Sequence, residues 1–385
     1  MSTKAPHGKG SNAQDRAGAI SCDVLDAWFD PSPMAIEAFA TTGLTMRSSP
    51  EVDGLPLVQA ISEVRGVPAE CICLGAGSSE LIHRVLPGLM GDGPAVLLDP
   101  TYSEYPFLLS REGIDVRRVT VTAETGFRVS MPALLEACDG ASLAVLVNPN
   151  SPTGMALSRD EMLRVRAVLP PRATVWVDET YVDFAPPGTS VEQDAAHVEG
   201  LYVLKSLSKA YALSGIRAAY LVCAPGAAAK VQERTPPWII GTSAMAAAVA
   251  AVRDVGYYGP KWAETGEIVR SFALALEGMG LRVTSGHLGA VLVEAPQGRS
   301  ASEWAAALAA SGLIVRTPEG MGQALGDHYV RISVVEPSLM PRVLGIIRSV
   351  PFLECADSVS SLSQDAAPGS DSVAGKKRGY GIRAL

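Results

Sequence analysis

The chain has 385 residues, is 48% hydrophobic and 6% aromatic, and carries a formal net charge of −8 at pH 7. That length exceeds one small core and predicts two domains, and an acidic balance without a long basic stripe argues against a nucleic-acid partner. No apolar stretch is long enough to span a bilayer and the N-terminus lacks the apolar centre of a secretory signal, so a cytoplasmic protein off the membrane is expected.

Residues 1–20 are polar and read as a mobile tail. The first patterned strand is Cys71–Leu74, followed by the turn Gly75-Ala76-Gly77-Ser78-Ser79-Glu80 opening a helix. Ala95–Asp99 is next and leads into Pro100-Thr101-Tyr102-Ser103-Glu104-Tyr105. Val116–Val121 follows, and then Leu143–Val147, which runs into Asn148-Pro149-Asn150-Ser151-Pro152-Thr153-Gly154, a rigid turn. Val175–Asp178, Tyr202–Leu204 and Ala218–Val222 complete a set of short runs apolar on both faces. That pattern predicts a mostly parallel sheet covered by helices on each side. Beyond the helical stretch near Met245–Val255, the runs Arg282–Thr284, Ala290–Glu294, Leu313–Arg316 and Tyr329–Val334 predict a smaller α+β domain. Residues 356–385 read as a second disordered tail. The six cysteines (Cys22, Cys71, Cys73, Cys138, Cys223 and Cys355) form no C-x-x-C pair or Cys/His cluster. No metal site is expected, and Cys71 and Cys73, two apart, are predicted to share a strand face.

Three segments carry chemistry. Ser206-Leu207-Ser208-Lys209 places one amine among hydroxyls, with Arg217 eight residues on. A lysine in such surroundings can form a Schiff base, and hydroxyls, arginine and backbone N–H groups can hold a phosphate. Asp178 ends an apolar strand, where open α/β sheets bind ligands, and a carboxylate there can pair with a protonated pyridine nitrogen. Tyr181 lies three residues further on. Arg331, alternating with apolar residues in Tyr329-Val330-Arg331-Ile332-Ser333, points inward and needs an anionic partner.

In this order and spacing the segments resemble fold type I enzymes of pyridoxal 5'-phosphate (PLP), specifically class I/II aminotransferases. Within that class they resemble the branch of histidinol-phosphate aminotransferase and threonine-phosphate decarboxylase, and the resemblance spans about Asp23 to Phe352. It implies an aspartate aminotransferase-like α/β fold. A large PLP-binding domain would span 46–260 and a small one 261–355, with 21–45 packing on the small one, and the chain would form a homodimer. It further implies Lys209 as Schiff-base amine and general base, Asp178 on the ring nitrogen and Tyr181 on the phenolic oxygen. Ala76, Gly77, Ser78, Ser79, Ser206, Ser208 and Arg217 would surround the phosphate, and Tyr105 would lie over the ring. Arg331 would take a small-molecule substrate's carboxylate, with Arg316 beside it.

The chain also departs from the pattern. Ser151 stands where the family has an asparagine on the phenolic oxygen, with Asn150 beside it. Arg47-Ser48-Ser49-Pro50-Glu51 lacks the tyrosine that reaches the neighbouring subunit's phosphate. Leu25-Asp26-Ala27-Trp28-Phe29-Asp30-Pro31 replaces a polar segment, and His287-Leu288-Gly289-Ala290 replaces Ala-Asn-Phe. Together with Trp238, the aromatics Trp28 and Phe29 predict a rebuilt pocket for a larger, partly apolar or planar substrate. An aminotransferase of specialised metabolism is therefore expected. The alternative is decarboxylation, elimination, replacement or carbon–carbon bond formation, with S-adenosylmethionine among the candidate substrates.

Overall fold

A computed structural model describes residues 18–350. The predicted tail at 356–385, Cys355 and the first 17 residues lie outside them. Of the tail expected at 1–20, Ile20 is already in a strand, β1 (Ile20–Cys22).

The larger unit is built on β2 (Ile72–Gly75), β3 (Ala95–Asp99), β4 (Val116–Thr120), β5 (Leu143–Val147), β6 (Thr174–Asp178), β7 (Leu201–Ser206) and β8 (Ala219–Val222). They form one sheet in the order β2-β8-β7-β6-β5-β3-β4, parallel except for β8. The mostly parallel α/β architecture is the one expected. Strict alternation explains why both faces are dry: Val96 and Leu98 enter one core while Ala95 and Leu97 enter the other. Val175 and Val177 likewise oppose Trp176. Because β8 is the one reversed strand, the carboxyl ends of β2, β3, β5, β6 and β7 share one edge with the start of β8. Ligand sites of open α/β sheets form along such an edge.

A second group comprises β9 (Val283–Ser285), β10 (Ala290–Glu294) and β12 (Tyr329–Ser333), antiparallel in the order β12-β10-β9. Beside it, β1 pairs in parallel with β11 (Leu313–Val315). Trp304, Phe272 and Leu308 fill the core beneath. The segment expected to pack whole on this unit divides instead. β1 joins it, whereas the helix Pro33–Thr41 packs on the helix Thr242–Arg253 of the larger unit.

Cys71 and Cys73 do not share a face. Cys71 closes the short turn Ala69–Cys71 and joins one core, while Cys73 lies in β2 and joins the other. The alternation does not reach back past the strand's first residue. Cys22, Cys71, Cys73, Cys138 and Cys223 are buried free thiols. Among the described residues no group of three or more His, Cys, Asp or Glu is placed to hold a metal, and no helix is long and apolar enough to cross a membrane.

Candidate active site

The loops at the shared strand edge surround a cavity of about 270 Å³. Asp178 reaches it from the last position of β6 and is 3% exposed. Its Oδ2 accepts from the Tyr105 hydroxyl at 2.7 Å, and its Oδ1 from the Thr180 N–H (3.0 Å) and Oγ1 (2.6 Å). Trp176 Nε1 in turn donates to the Tyr105 oxygen at 3.0 Å. Burial pushes the Asp178 carboxyl up, against the donors from Thr180 and Tyr105 and the charge of Lys205. A buried carboxylate held in one orientation has room for one more partner, and a cation suits it.

Lys209 lies in the turn after β7 and lines the same cavity, as does Tyr181, whose phenol burial pushes up. Lys209 Nζ donates to Asp26 Oδ1 at 2.8 Å, and the Ser214 hydroxyl donates to the same oxygen at 2.6 Å.

One end of the cavity is an anion cradle. Gly77 has φ +92°, and a Cβ there would lie 2.2 Å from Arg217 Nη2. Only glycine lets the guanidinium lie so close to the start of the helix Ser78–Val85. Arg217 itself sits at φ 57°, rare for a residue with a Cβ, and its Nη1 donates to Ser208 Oγ (3.3 Å) and the Ser214 carbonyl (3.0 Å). Ser78, Ser79, Ser206 and Ser208 complete this end. First-turn N–H groups, hydroxyls and a guanidinium are the groups that bind phosphate.

Arg331 and Arg316 lie elsewhere in the lining, joined by a backbone bridge. Arg331 is 7% exposed; its Nη2 donates to the Asp23 carbonyl at 2.7 Å and its Nη1 to Ser151 Oγ at 3.5 Å. Its Nε is buried with no acceptor, and burial brings the guanidinium down to about 10. A carboxylate would answer both deficits. Arg316 Nη2 donates to the Glu319 carbonyl at 2.9 Å.

Several expected positions fall elsewhere. Tyr105 is wholly buried and donates to Asp178 from outside the cavity; Tyr102 lines the cavity, its ring edge-on to that of Tyr105 with centroids 6.0 Å apart. The helix Glu104–Arg111 explains the exchange, since Tyr105, Leu108 and Leu109 share its buried face. Ala76 and Gly77 are not in the lining; the Ala76 N–H is taken by Glu80 Oε2 and the Gly77 N–H by the Gly75 carbonyl at 2.8 Å, so Gly77 serves by making room for Arg217. Trp238 is half-exposed in a loop, its N–H on the Val52 carbonyl. Phe29 is buried against Tyr258, and Trp28 donates to Thr265 Oγ1, so these two border a small void behind Lys209 and not the main cavity. Asn150 is held by the Pro100 carbonyl and Thr153 and does not stand in for the absent amide. Asp26, Asp23, Ser214 and Tyr102 also stand at the site and carry no motif of their own; of these, only Tyr102 has a signal in the sequence, the helical period that turns Tyr105 inward.

A sequence model described as aminotransferase class I and II matches residues 25–347. The chain belongs to that family. It is a PLP-dependent transferase with pyridoxal phosphate as its cofactor. A histidinol-phosphate aminotransferase of Rhodospirillum centenum is 29% identical over 320 residues, 81% of this chain and 86% of that protein. Among solved structures, the histidinol-phosphate aminotransferase of Sinorhizobium meliloti in complex with PLP has a TM-score of 0.76 at 21% identity, covering 86% of this chain and 92% of that one. The L-threonine-O-3-phosphate decarboxylase of Porphyromonas gingivalis has a TM-score of 0.74 at 19% identity, covering 85% and 98%. The cavity fits the cofactor: the Arg217 guanidinium with the hydroxyls of Ser78, Ser79, Ser206 and Ser208 suits its phosphate, and Asp178 suits its ring nitrogen. When bound, the cofactor supplies an aldehyde for amines and a ring that withdraws electrons from the bond to be broken.

Proposed function

We propose that the enzyme is an aminotransferase of specialised metabolism acting on an amino acid or amine that carries an acid group. The reading rests on one observation. Lys209 and Asp178 border one cavity that also holds a phosphate cradle at Ser78, Ser208 and Arg217 and a buried arginine with an orphaned N–H, Arg331. In this reading Lys209 is the amine that engages the cofactor and the base that moves the substrate's α-proton. Asp178 holds the ring nitrogen, Tyr181 donates to the phenolic oxygen, and Tyr102 takes the stacking position expected of Tyr105. Arg331 orients the substrate carboxylate, with Arg316 as a second cation. The curated relative's name points to histidinol phosphate; the altered segment at 25–31 favours a different substrate.

Decarboxylation is the second reading, favoured by Ser151 beside Arg331 where the family carries an amide. A donor panel separates the two. Incubated with amino acids and 2-oxoglutarate or pyruvate, the enzyme is expected to exchange amino and keto groups. Release of CO₂ with no new keto acid, read by mass spectrometry, would replace the first reading by the second.

Domains at about 46–260 and 261–355, a cytoplasmic location and a homodimer belong to the same proposal. A groove of about 280 Å³ lined by Ile36, Phe39, Leu213, Ile216 and Ala247 supports the dimer. Met34, Ile36 and Phe39 are exposed on the same helix, beside the loop that follows Lys209. A second copy covers this face, and sedimentation should give twice the chain mass; Phe39→Asp should halve it.

A further inference from the structure

Residues 23–31 form a strap between the two units. Before it, β1 pairs with β11; after it, the helix Pro33–Thr41 lies on the larger unit. The strap is fastened along its length. The Asp23 carbonyl accepts from Arg331, the Trp28 indole donates to Thr265, and the Asp30 carbonyl accepts from the Tyr257 hydroxyl at 2.9 Å. Between these ties Asp26 meets Lys209 and Ser214. Asp26 does not line the main cavity. It borders the small void on the other side of Lys209, with Trp28, Phe184 and Thr265.

We propose that Asp26 is a positioning residue, a fixed counter-charge that orients the Lys209 nitrogen. This rests on the reading that Lys209 is the amine engaging the cofactor. Three observations carry it. The Lys209–Asp26 contact is a hydrogen bond of 2.8 Å donated by the lysine to a half-exposed carboxylate. The same oxygen takes a second donor, Ser214, so the carboxylate is aimed and not free to swing. The strap is tied on both sides of it, at the Asp23 carbonyl and the Trp28 indole, so the charge stays where it is.

The ionisation state of Asp26 agrees. Burial pulls the carboxyl up, but Lys209, Ser214 and Arg217 outweigh it and hold it below its ordinary value. The other titratable or charged groups around the pair are Asp178 and Tyr181 at the end of β6 and Asp23 on the strap. Arg331 on β12 and Lys261, which lies over the Trp28 ring at 4.6 Å, complete the set. Asp178 belongs to the ring-nitrogen end of the cavity, and Asp23 lends Arg331 its carbonyl. Asp26 is therefore the acidic group in hydrogen-bond contact with Lys209 Nζ. Its position has a consequence for substrate binding. The strap carries both the carbonyl that Arg331 uses and, three residues on, the carboxylate that Lys209 uses. An acid that takes up Arg331 therefore acts on the same backbone that holds the counter-charge.

The test reads colour and not turnover. With the cofactor-loaded enzyme, the visible band is titrated against pH in wild type, Asp26→Asn, Asp26→Glu and Ser214→Ala. Losing an opposite charge at hydrogen-bond distance should lower the midpoint by about 1 pH unit or more in Asp26→Asn. Asp26→Glu should restore most of it. Ser214→Ala frees the carboxylate oxygen of its competing donor and should move the midpoint upward. A folded, coloured Asp26→Asn that titrates with wild type would overturn the proposal. Should Asp26→Asn not fold by circular dichroism, Ser214→Ala decides, and an unchanged midpoint there counts against it. Failure of the underlying reading looks different: colour and covalent mass would then survive in Lys209→Ala.

Discussion

Lys209→Ala is expected to be colourless, to carry no covalently attached cofactor after borohydride reduction, and to lose at least about 10²–10⁴-fold in turnover, the share of a positioned base alone. Nothing else at the site can replace the amine. Lys205 is the nearest lysine in sequence, but β7 sends its side chain to the opposite side, into a buried cluster of carboxylates. The substitution should leave the fold alone. The Lys209 side chain is 21% exposed and its partner Asp26 is 54% exposed, and an ion pair so placed contributes little to stability. Far-UV circular dichroism and the melting temperature should therefore match wild type while the visible band vanishes. Intact-mass spectrometry after reduction is the decisive measurement. A cofactor-sized mass increment retained in Lys209→Ala would remove the basis of the catalytic assignment.

How far the sequence reveals this site depends on the range of the interaction concerned. β3, β5 and β6 are legible because five consecutive apolar or terminal positions are buried on both faces, and a local pattern suffices. β1 is not legible. It has three residues and exists through its pairing with β11, nearly three hundred positions away. The cradle is readable as a Gly-rich turn, yet the reason Gly77 must be glycine is Arg217, brought there by the sheet. Tyr102 and Tyr105 show a finer limit. They stand three residues apart, Tyr102 before the helix Glu104–Arg111 and Tyr105 within it, and the choice between them turns on where that helix begins, the least certain feature of any sequence reading. Trp28, Phe29 and Trp238 read as a pocket because their bulk is visible. Their actual partners, Thr265, Tyr258 and the Val52 carbonyl, are distant in sequence. Asp26 carries no local signal at all, since its meaning comes from a contact 183 residues away.

The largest effect on stability is expected behind the sheet, at Lys205→Met. Lys205 is 3% exposed, with Glu179 Oε2 at 3.4 Å and Glu192 Oε2 at 3.6 Å. Arg65 bridges Asp183 at 3.0 Å and Glu192 at 2.8 Å, and the Tyr220 hydroxyl donates to Glu192 at 2.6 Å. Three carboxylates thus face two cations in a dry site. Removing Lys205 leaves buried negative charge uncompensated, which costs about 3–5 kcal/mol. Lys205→Arg keeps the charge and should lose much less.

The pH dependence gives the mechanism a sign. Burial pushes the Asp183 and Glu192 carboxyls up, but Lys205 and Arg65 outweigh it and hold both below their ordinary values. Groups lowered in the folded state contribute stability above the unfolded carboxyl range, and that stability is lost as pH falls through the folded values. Without Lys205 the carboxyls take up protons at higher pH, so neutral pH is where the variant suffers most. The urea midpoint should therefore fall well below wild type at pH 7, and the gap should narrow toward pH 5. Lys205 also lowers the Asp178 carboxyl through space, so the variant should bind the cofactor more weakly even where it is folded. Equal urea midpoints for Lys205→Met and wild type at pH 7 would mean that the cluster is balanced without its lysine.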